Sequence, residues 1–247
     1  MTHRTYAQNP IHEALCEFRF DAPGGWDPVA QSRFWLEFQK DFDGAPMRRQ
    51  VNTAAFHLGP ANSGLVFGEP TDQFRFPSAD GRCVAIVGHN LLSVHSLRPY
   101  MGWDAFQPLI SRALARFCEI SSPTGLLRIG LRYINRFDVG RDEKPSRYLR
   151  CAPSDQVDPS TTLRSHTHRD EHVWPDGETL VVIHASAVSE DKRSLVLDLD
   201  VVHTWNDGVG AISEAMSVVE GLHAREGAEF ERLITDTARS VFDGINA

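Results

Sequence analysis

The sequence has no apolar run near the roughly 20 residues that a membrane-spanning helix needs. Its first ten residues, MTHRTYAQNP, contain no apolar signal core. We therefore expect a soluble cytoplasmic chain with no membrane partner. Cysteine is also scarce, since the four cysteines lie far apart without a C-x-x-C pair and three of them fall within apolar patterns. This usage predicts reduced core cysteines and no disulfide framework.

Positive charge is in deficit. The 247 residues include 25 Lys and Arg against 33 Asp and Glu, which gives a formal net charge of -8. Up to Glu119 the count is 11 against 12, and the remainder has 14 against 21, so most of the excess acid lies in the second half. Because nucleic-acid backbones attract basic surfaces, this balance disfavours a nucleic-acid partner. It favours a basic protein as the partner of the second half.

The common catalytic and nucleotide-binding motifs are absent as well. The sequence contains no G-x-S-x-G, no G-x-x-x-x-G-K-[ST] and no G-x-G-x-x-G after a predicted strand. The stretch GPANSG at 59–64 lacks the lysine of a phosphate-binding loop and is interpreted as a turn. These absences remove the commonest enzyme classes, and they leave open whether the protein catalyses any reaction.

Among the features that are present, the segment 126–137, LLRIGLRYINRF, organises the rest of the chain. Its side chains alternate at the period of a β-strand. The side chains predicted to pack in the core are Leu127, Ile129, Leu131, Tyr133 and Phe137. The opposite face carries Arg128, Arg132 and Arg136, so the segment predicts a half-covered antiparallel strand with a basic stripe.

The chain follows the same order of elements on either side of its midpoint. The sequence suggests a duplicated unit of strand, helix, meander and helix, which begins with a strand at 13–20 and again at 126–137. The closing helices share spelling, FQPLISRALARF and FERLITDTARSVF. We predict an α+β protein of two similar lobes, 1–121 and 122–247, each an antiparallel sheet covered by helices, packed as one compact unit. The alternative to internal duplication is that amphipathic helices resemble one another by chance.

An apolar stripe at helical spacing runs through the segment 211–242. If Gly221 and Gly227 do not interrupt it, the segment is one helix of about 32 residues, near 48 Å long at about 1.5 Å per residue. Such a helix would overhang the core and could hold a partner helix or a second copy of the chain. A helical hairpin broken near Gly227 is the alternative.

The arginines of the central strand form the first candidate site. Asp198 and Asp200, in LVLDLDV, share one face of a predicted strand 193–205. If that strand lies beside the central one, its aspartates neutralise the arginines across the sheet, as Glu13 and Glu17 would. The alternative is a pocket between the lobes in which arginines hold phosphate or carboxylate bidentately. The residues predicted to line it are Arg128, Arg132, Arg136, Tyr133, Asn135, Asp198 and Asp200.

A run of histidines, HTHRDEH, forms the second candidate site. The potential metal ligands on one face of a strand are His166, His168, Asp170 and His172. Imidazole and carboxylate suit Zn²⁺ or a similar ion. Residues two apart on a strand are separated by about 6.6 Å, so only two neighbours bind one ion comfortably. A further ligand would come from His184 or His203. The alternative is a solvated strand edge, and otherwise we expect no cofactor.

Four stretches carry a resemblance to one bacterial family. They read NPIHEALCEFRF, RIGLRYINR, LDLDV and LHAREGAEFERLITD. The chain resembles a sporadically distributed family of unknown function with N-P-P-[IV]-x-E-A, L-R-Y-x-N-R and H-x-x-x-x-x-x-F-x-x-x-I-T-[DE] motifs. The residues that match the closing motif are His223, Phe230, Ile234, Thr235 and Asp236. The resemblance implies no activity, but the patchy distribution of the family implies mobile cassettes such as toxin–antitoxin or phage-defence loci.

These features together predict a non-catalytic binding or partner protein, antitoxin-like or a phage-defence accessory. It would contact another protein, or a second copy in a homo-oligomer, through a sheet face, the acidic second half or the final helix. The alternative is an enzyme or a small-ligand or phosphate-binding protein with its pocket between the lobes. Single-stranded nucleic-acid binding is supported by the arginine stripe alone.

Overall fold

The computed structural model describes residues 4–22, 28–51, 54–58, 63–67, 71–151, 164–205 and 208–244. The strands are β1 (Ile11–Asp21), β2 (Met47–Val51), β3 (Ala54–Leu58), β4 (Ser63–Phe67), β5 (Thr71–Pro77), β6 (Cys83–Gly88), β7 (Leu91–Leu97), β8 (Gly125–Gly140), β9 (Ser165–Val173), β10 (Thr179–Val188) and β11 (Lys192–Thr204). The α-helices are α1 (Pro28–Phe38), α2 (Trp103–Ser121), α3 (Ala215–Leu233) and α4 (Asp236–Phe242). Short 3-10 helices occur at Pro145–Arg147 and Ile212–Glu214.

Nine of the strands form one antiparallel sheet in the order β2-β5-β6-β7-β1-β8-β11-β10-β9. β1 and β8 pair at its centre, where Glu13 lies opposite Ile134 and Arg19 opposite Arg128. β3 and β4 form a separate two-stranded hairpin. The predicted α+β class is confirmed. Both halves of the chain contribute to this one sheet, however, and neither forms a complete sheet of its own.

The two halves place their strands in matching order outward from the centre. β1, β7, β6 and β5 follow one another on one side, and β8, β11, β10 and β9 on the other. In each half the meander leads into a long helix, α2 in the first and α3 in the second. The elements α1, β2 and the β3–β4 hairpin have no counterpart in the described residues of the second half.

The helices cover one face of the sheet, and the core lies between them. β1 directs alternate side chains into this core, and Cys16, Phe18 and Phe20 are all 0% exposed. Phe20 stacks on Phe117 of α2 with ring centroids 4.4 Å apart. Each fully buried phenylalanine of this kind contributes roughly 1.5–3 kcal/mol. The four cysteines of the chain are free, as their spacing predicted.

The central strand β8 departs from simple alternation at its start. The pairing with β1 moves from Arg19 opposite Arg128 to Phe20 opposite Leu126, so Leu127 is the extra residue of a bulge. Leu126 is therefore 0% exposed, while Leu127 is 37% exposed. The prediction that Leu127 packs in the core was wrong, because a bulge reverses the alternation of every residue before it.

The predicted long C-terminal helix is confirmed as α3, which continues through Gly221 and Gly227 without a break. It ends at Leu233, so a single helix to 242 and a hairpin broken near Gly227 were both wrong. α3 buries an apolar stripe against β8 and β11 and does not overhang the core. No helix in the described ranges combines the length and apolar character needed to cross a membrane.

The break after α3 has a local cause. Ile234 leaves the helix with extended backbone angles, φ −90° and ψ 156°, and forms an isolated β-bridge to Leu149. The next residue, Thr235, accepts a hydrogen bond from the Ala238 amide through its side-chain oxygen and so caps α4. The Thr235 hydroxyl also donates to the Arg147 carbonyl at 2.6 Å. These contacts hold the chain away from helical geometry between α3 and α4.

Candidate functional site

The sheet face opposite the helices, here called the open face, carries paired charges on its three central strands. Arg128 lies between Glu17 of β1, at 2.9 Å, and Asp200 of β11, at 3.3 Å. Arg132 donates two hydrogen bonds of 2.7 and 2.5 Å to Asp198. The predicted neutralisation of the central arginines across the sheet is therefore confirmed for Arg128 and Arg132.

A glycine makes room for the first of these pairs. A Cβ at Gly130 would lie 2.9 Å from Nη2 of Arg128, which is closer than real Cβ contacts. The guanidinium thus occupies the space above Gly130, and this position lets it reach Glu17 and Asp200 together. Burial raises the pKa of the Asp200 carboxyl, while the neighbouring Arg128 and Arg132 act in the opposite direction.

The other members of the predicted inter-lobe pocket lie elsewhere. Tyr133 and Asn135 are each 2% exposed on the helix-covered face, where Asn135 donates to the Leu197 carbonyl at 3.2 Å. Arg136 is exposed, and no ion pair to its guanidinium occurs within the part of the chain that the structure describes. Strand alternation explains the separation, because residues 133 and 135 point opposite to residues 132 and 136. The seven residues therefore do not form one pocket.

A different cavity lies on the open face of the first half. Its volume is about 160 Å³, and it is lined by Glu13, Arg49, Gln73, Arg75, Val84, Ile86, His95 and Leu97. These residues come from β1, β2, β5, β6 and β7, and β1 is four strands away from β2 in the sheet.

Three side chains form a hydrogen-bonded chain at this cavity. Oε1 of Glu13 lies 2.7 Å from Nδ1 of His95, and Nε2 of His95 lies 2.9 Å from Oγ of Ser93. When Nδ1–H donates to the carboxylate, Nε2 accepts the Ser93 hydroxyl proton. The hydrogen bond with His95 lowers the pKa of Glu13 against the opposing effect of burial. This connectivity is that of a serine–histidine–acid triad.

Nucleophilic catalysis by Ser93 is nevertheless disfavoured by its surroundings. Ser93 is 3% exposed, and its strand pairs on both sides, with Glu17 of β1 and Ile86 of β6 opposite it. Backbone amides of a central strand are used by the ladder, so they are not free to stabilise an oxyanion. The hydrogen-bonded chain instead fixes the orientation of the His95 ring in the cavity wall.

Two arginines at the cavity differ from those at the centre of the sheet. Arg49 and Arg75 are exposed, and neither forms an ion pair with any residue that the structure describes. The neighbouring Arg48, in contrast, pairs with Asp72 at 2.6 Å. Two guanidinium groups beside an imidazole therefore face a cavity whose one carboxylate, Glu13, is already hydrogen-bonded. Sequence reasoning missed this site, because its residues come from five strands and share no local motif.

A polar cluster also lies under the helices. The Tyr133 hydroxyl is 3.3 Å from that of Tyr100 and 3.2 Å from Nδ1 of His223. The His223 ring stacks on Trp103 with centroids 3.8 Å apart. Tyr133 and His223 belong to two of the motifs that carry the family resemblance, and the fold brings them into contact.

Glu226 of α3 completes this cluster as a buried acid. It is 5% exposed, and burial raises its pKa to about 8. Among the residues that the structure describes, burial alone shifts the pKa of this carboxyl group, with no hydrogen bond or ion pair to it. The side chain is therefore protonated at neutral pH. The negative charge of its ionised form would raise the pKa of the nearby Tyr100 and Tyr133 hydroxyls.

The histidine run occupies β9, the edge strand next to β10. His168 lies opposite His184 and Asp170 opposite Val182, all on the helix-covered face. One ligand atom from each of His168, Asp170 and His184 lies within 4.8 Å of the others. The structure thus brings together two neighbours of β9 and His184, which was one of the two later histidines considered. Burial lowers the pKa of His184 to about 4.

The remaining histidines lie outside this group. His166 is 2.9 Å from Ser186 Oγ and 3.3 Å from Nδ1 of His184. His172 borders a pocket of about 640 Å³ beside the C-terminal end of α3. His203 contacts Glu178 at 3.2 Å and is not a member of the group. The four-residue metal set predicted on β9 is therefore reduced to His168 and Asp170.

No protein-family model matches the chain, and no curated protein matches it at a significant level. The functional candidates follow from the geometry of the open-face cavity, the buried acid and the histidine edge.

Proposed function

We propose that the chain binds a small anionic ligand, bearing a phosphate or carboxylate group, in the open-face cavity. The observation that carries this proposal is the convergence of Arg49, Arg75 and His95 on one cavity of about 160 Å³. It keeps the ligand-binding alternative derived from the sequence, with the site on the open face of the first half instead of between two lobes.

The chemistry of the lining supports an anion. Guanidinium groups donate paired hydrogen bonds to carboxylate and phosphate oxygens, and such charge-assisted bonds are the strong ones. Arg49 and Arg75 enter from neighbouring strands, because Arg49 lies opposite Gln73 and Met47 opposite Arg75. The hydrogen bond to Glu13 holds the third polar group, the His95 ring, in place.

The size of the cavity limits the ligand. Pockets for drug-sized molecules measure roughly 300–1,000 Å³, and this one is smaller at about 160 Å³. Its floor is apolar, formed by Val84, Ile86 and Leu97. We infer that either a small anion fills the cavity or only the anionic end of a larger ligand enters it.

We expect Arg49→Gln and Arg75→Gln each to weaken binding of the anion at least about 10-fold, because each removes a charge-assisted pair. The probes are inorganic phosphate, pyrophosphate and citrate, followed by calorimetry and thermal shift on the full chain. A ligand at 100 times its Kd stabilises the folded state by about 2.7 kcal/mol.

The matched control for this experiment is Arg48→Gln. Arg48 is adjacent on β2 but points to the opposite face and pairs with Asp72. It should leave the affinity unchanged. The proposal fails if none of the three anions stabilises the native chain, or if the Arg48 variant weakens binding as much as the other two.

A second proposal is that the chain contacts another protein through α1. Trp35 and Leu36 are adjacent on this helix and are 46% and 65% exposed. Tryptophan is enriched in protein interfaces, and neighbouring exposed apolar side chains mark contact sites. In this second proposal the chain is an antitoxin-like protein or a phage-defence accessory encoded in a bacterial cassette. It would act in the cytoplasm through the contact at α1. Contact through the final helix loses its support, since α3 packs on the sheet.

The double change Trp35→Ser and Leu36→Ser is expected to abolish co-purification of the partner, or self-association, because it removes the exposed apolar contact area. Size-exclusion chromatography coupled to light scattering distinguishes a second copy from a different protein. The exposed pair Glu37→Gln and Lys40→Gln on the same segment serves as control. Equal loss in both variants, or no loss in the Trp35 and Leu36 variant, would contradict a contact made by these two apolar side chains.

We further propose that the two halves derive from an internal duplication. The matching strand order on the two sides of the β1–β8 pair supports it, as does the position of α2 and α3 after each meander. Repeated units of this kind arise when one unit cannot bury its apolar face alone. Superposition of the two sets of strands should place α2 and α3 in equivalent positions, and a mismatch of the helices would contradict the duplication.

A further inference from the structure

The histidine edge lies at the opposite end of the sheet from the open-face cavity, and on the other face. We infer that His168, Asp170 and His184 form a binding site for a divalent transition metal of the zinc type. The site is independent of the anion cavity, since no residue is shared between them.

The spacing of the ligand atoms is near what a bound ion requires. Zn–N and Zn–O bonds of about 2.0–2.2 Å in a tetrahedron place neighbouring ligand atoms roughly 3.3–3.5 Å apart. The three atoms here lie within 4.8 Å of one another, and Nε2 of His168 is 2.9 Å from Oδ1 of Asp170. Small rotations of the exposed His168 side chain therefore suffice to close the site.

The strand pairing fixes the ligands in relation to one another. His168 and His184 are directly opposite on β9 and β10, and their ring centroids are 5.0 Å apart. His184 is 1% exposed, so its ring is held by the core, while His168 and Asp170 approach it from the edge strand. One rigid ligand and two accessible ligands allow an ion to enter from solvent.

The site has an open side. Three protein ligands leave a fourth tetrahedral position, which is the arrangement of zinc sites that bind water or an exogenous ligand. Asp170 also lines the pocket of about 640 Å³ that contains Arg150, Cys151, His172 and Arg232. The lining of this pocket also includes Glu231, so it offers charges of both signs beside Asp170.

The test is equilibrium titration of the full chain with Zn²⁺ and with Co²⁺, whose visible absorption reports four-coordinate geometry. We expect one ion per chain at this site. His168→Ala and Asp170→Asn should each lower the affinity at least about 10- to 100-fold, because even the loss of an outer-shell partner costs that much. Both side chains lie at the sheet edge, and circular dichroism verifies that the variants fold.

Glu171→Gln is the matched control, because it removes the carboxylate next to Asp170 on the same strand, whose side chain points to the opposite face and lies outside the group. It should retain the native affinity. The inference is overturned if the native chain shows no saturable binding, or if Glu171→Gln weakens binding as much as Asp170→Asn. Phosphate binding measured in parallel distinguishes failure of this site from failure of the anion cavity.

Discussion

Replacing Glu226 with Gln is expected to stabilise the chain by about 4 kcal/mol at pH 8. The reason is that Glu226 lies in the core without a hydrogen-bonding or ionic partner among the described residues, and burial raises its pKa to about 8. In the unfolded chain the same carboxyl group ionises near its ordinary pKa of about 4.3. Gln keeps the shape of the protonated side chain and cannot ionise.

The sign of the pH dependence follows from this difference in pKa. Between the unfolded pKa and about 8, the folded chain holds a proton on Glu226 that the unfolded chain has lost. Unfolding therefore releases a proton, and the stability that depends on this group falls as pH rises. It is fully present below the unfolded pKa and is lost by the time the pH passes the folded value. Relative to Glu226→Gln, the native chain should therefore lose the most free energy of unfolding at alkaline pH.

Urea unfolding at a series of pH values from 5 to 9 measures the effect. The difference between the native chain and Glu226→Gln should be small near the acidic end and should widen with pH. Glu220→Gln, an exposed acid on the same helix, is the control and should leave the curve unchanged. Parallel curves for the native chain and Glu226→Gln would show that the carboxyl group is not held protonated in the folded state.

The second large effect is expected from Asp198→Ala, which should destabilise the chain by about 2–3 kcal/mol. The Asp198 side chain is only 8% exposed and accepts two hydrogen bonds from Arg132. Its removal leaves the guanidinium without its main partner in the middle of the sheet. The expected loss is below the roughly 3–5 kcal/mol of fully buried pairs, since Arg132 is 35% exposed.

Asp138→Ala provides the comparison for Asp198→Ala. Asp138 also joins β8 to β11, through Lys192 at 2.7 Å and Ser194 at 2.6 Å, but its side chain is 40% exposed. Surface pairs of this kind contribute about 0–1 kcal/mol. In chemical denaturation, the loss in free energy of unfolding should be clearly larger for Asp198→Ala than for Asp138→Ala. Equal losses would mean that burial does not set the strength of these pairs.

Local patterns in the sequence were sufficient to predict much of the central sheet. Alternation identified β8 and its two faces, and the pairing of Arg128 and Arg132 with acids of neighbouring strands followed from it. The same rule placed Tyr133 on the covered face, and applied to Asn135 it separates both residues from the arginines. The charges of a strand and the alternation of its apolar side chains are properties of one segment. They can therefore be recognised in the sequence without knowledge of the fold.

The remaining features depend on contacts between distant segments. The bulge at Leu127 exists only in relation to the partner strand β1. The helix break at Ile234 depends on a bridge to Leu149, far away in the chain. The open-face cavity likewise brings together side chains from five strands, and no single segment contributes a recognisable pattern to it. In the histidine run, spacing identified candidates, and only the pairing of β9 with β10 selected His184.

The junction between β1 and β8 makes the two halves mutually dependent for assembly. β1 is an eleven-residue strand whose second neighbour comes from beyond residue 121. A fragment ending there would present a long unsatisfied strand edge and would tend to recruit another chain. Separately produced fragments should therefore complement each other by strand pairing or precipitate, and a cut at the midpoint divides one cooperative unit instead of releasing two domains.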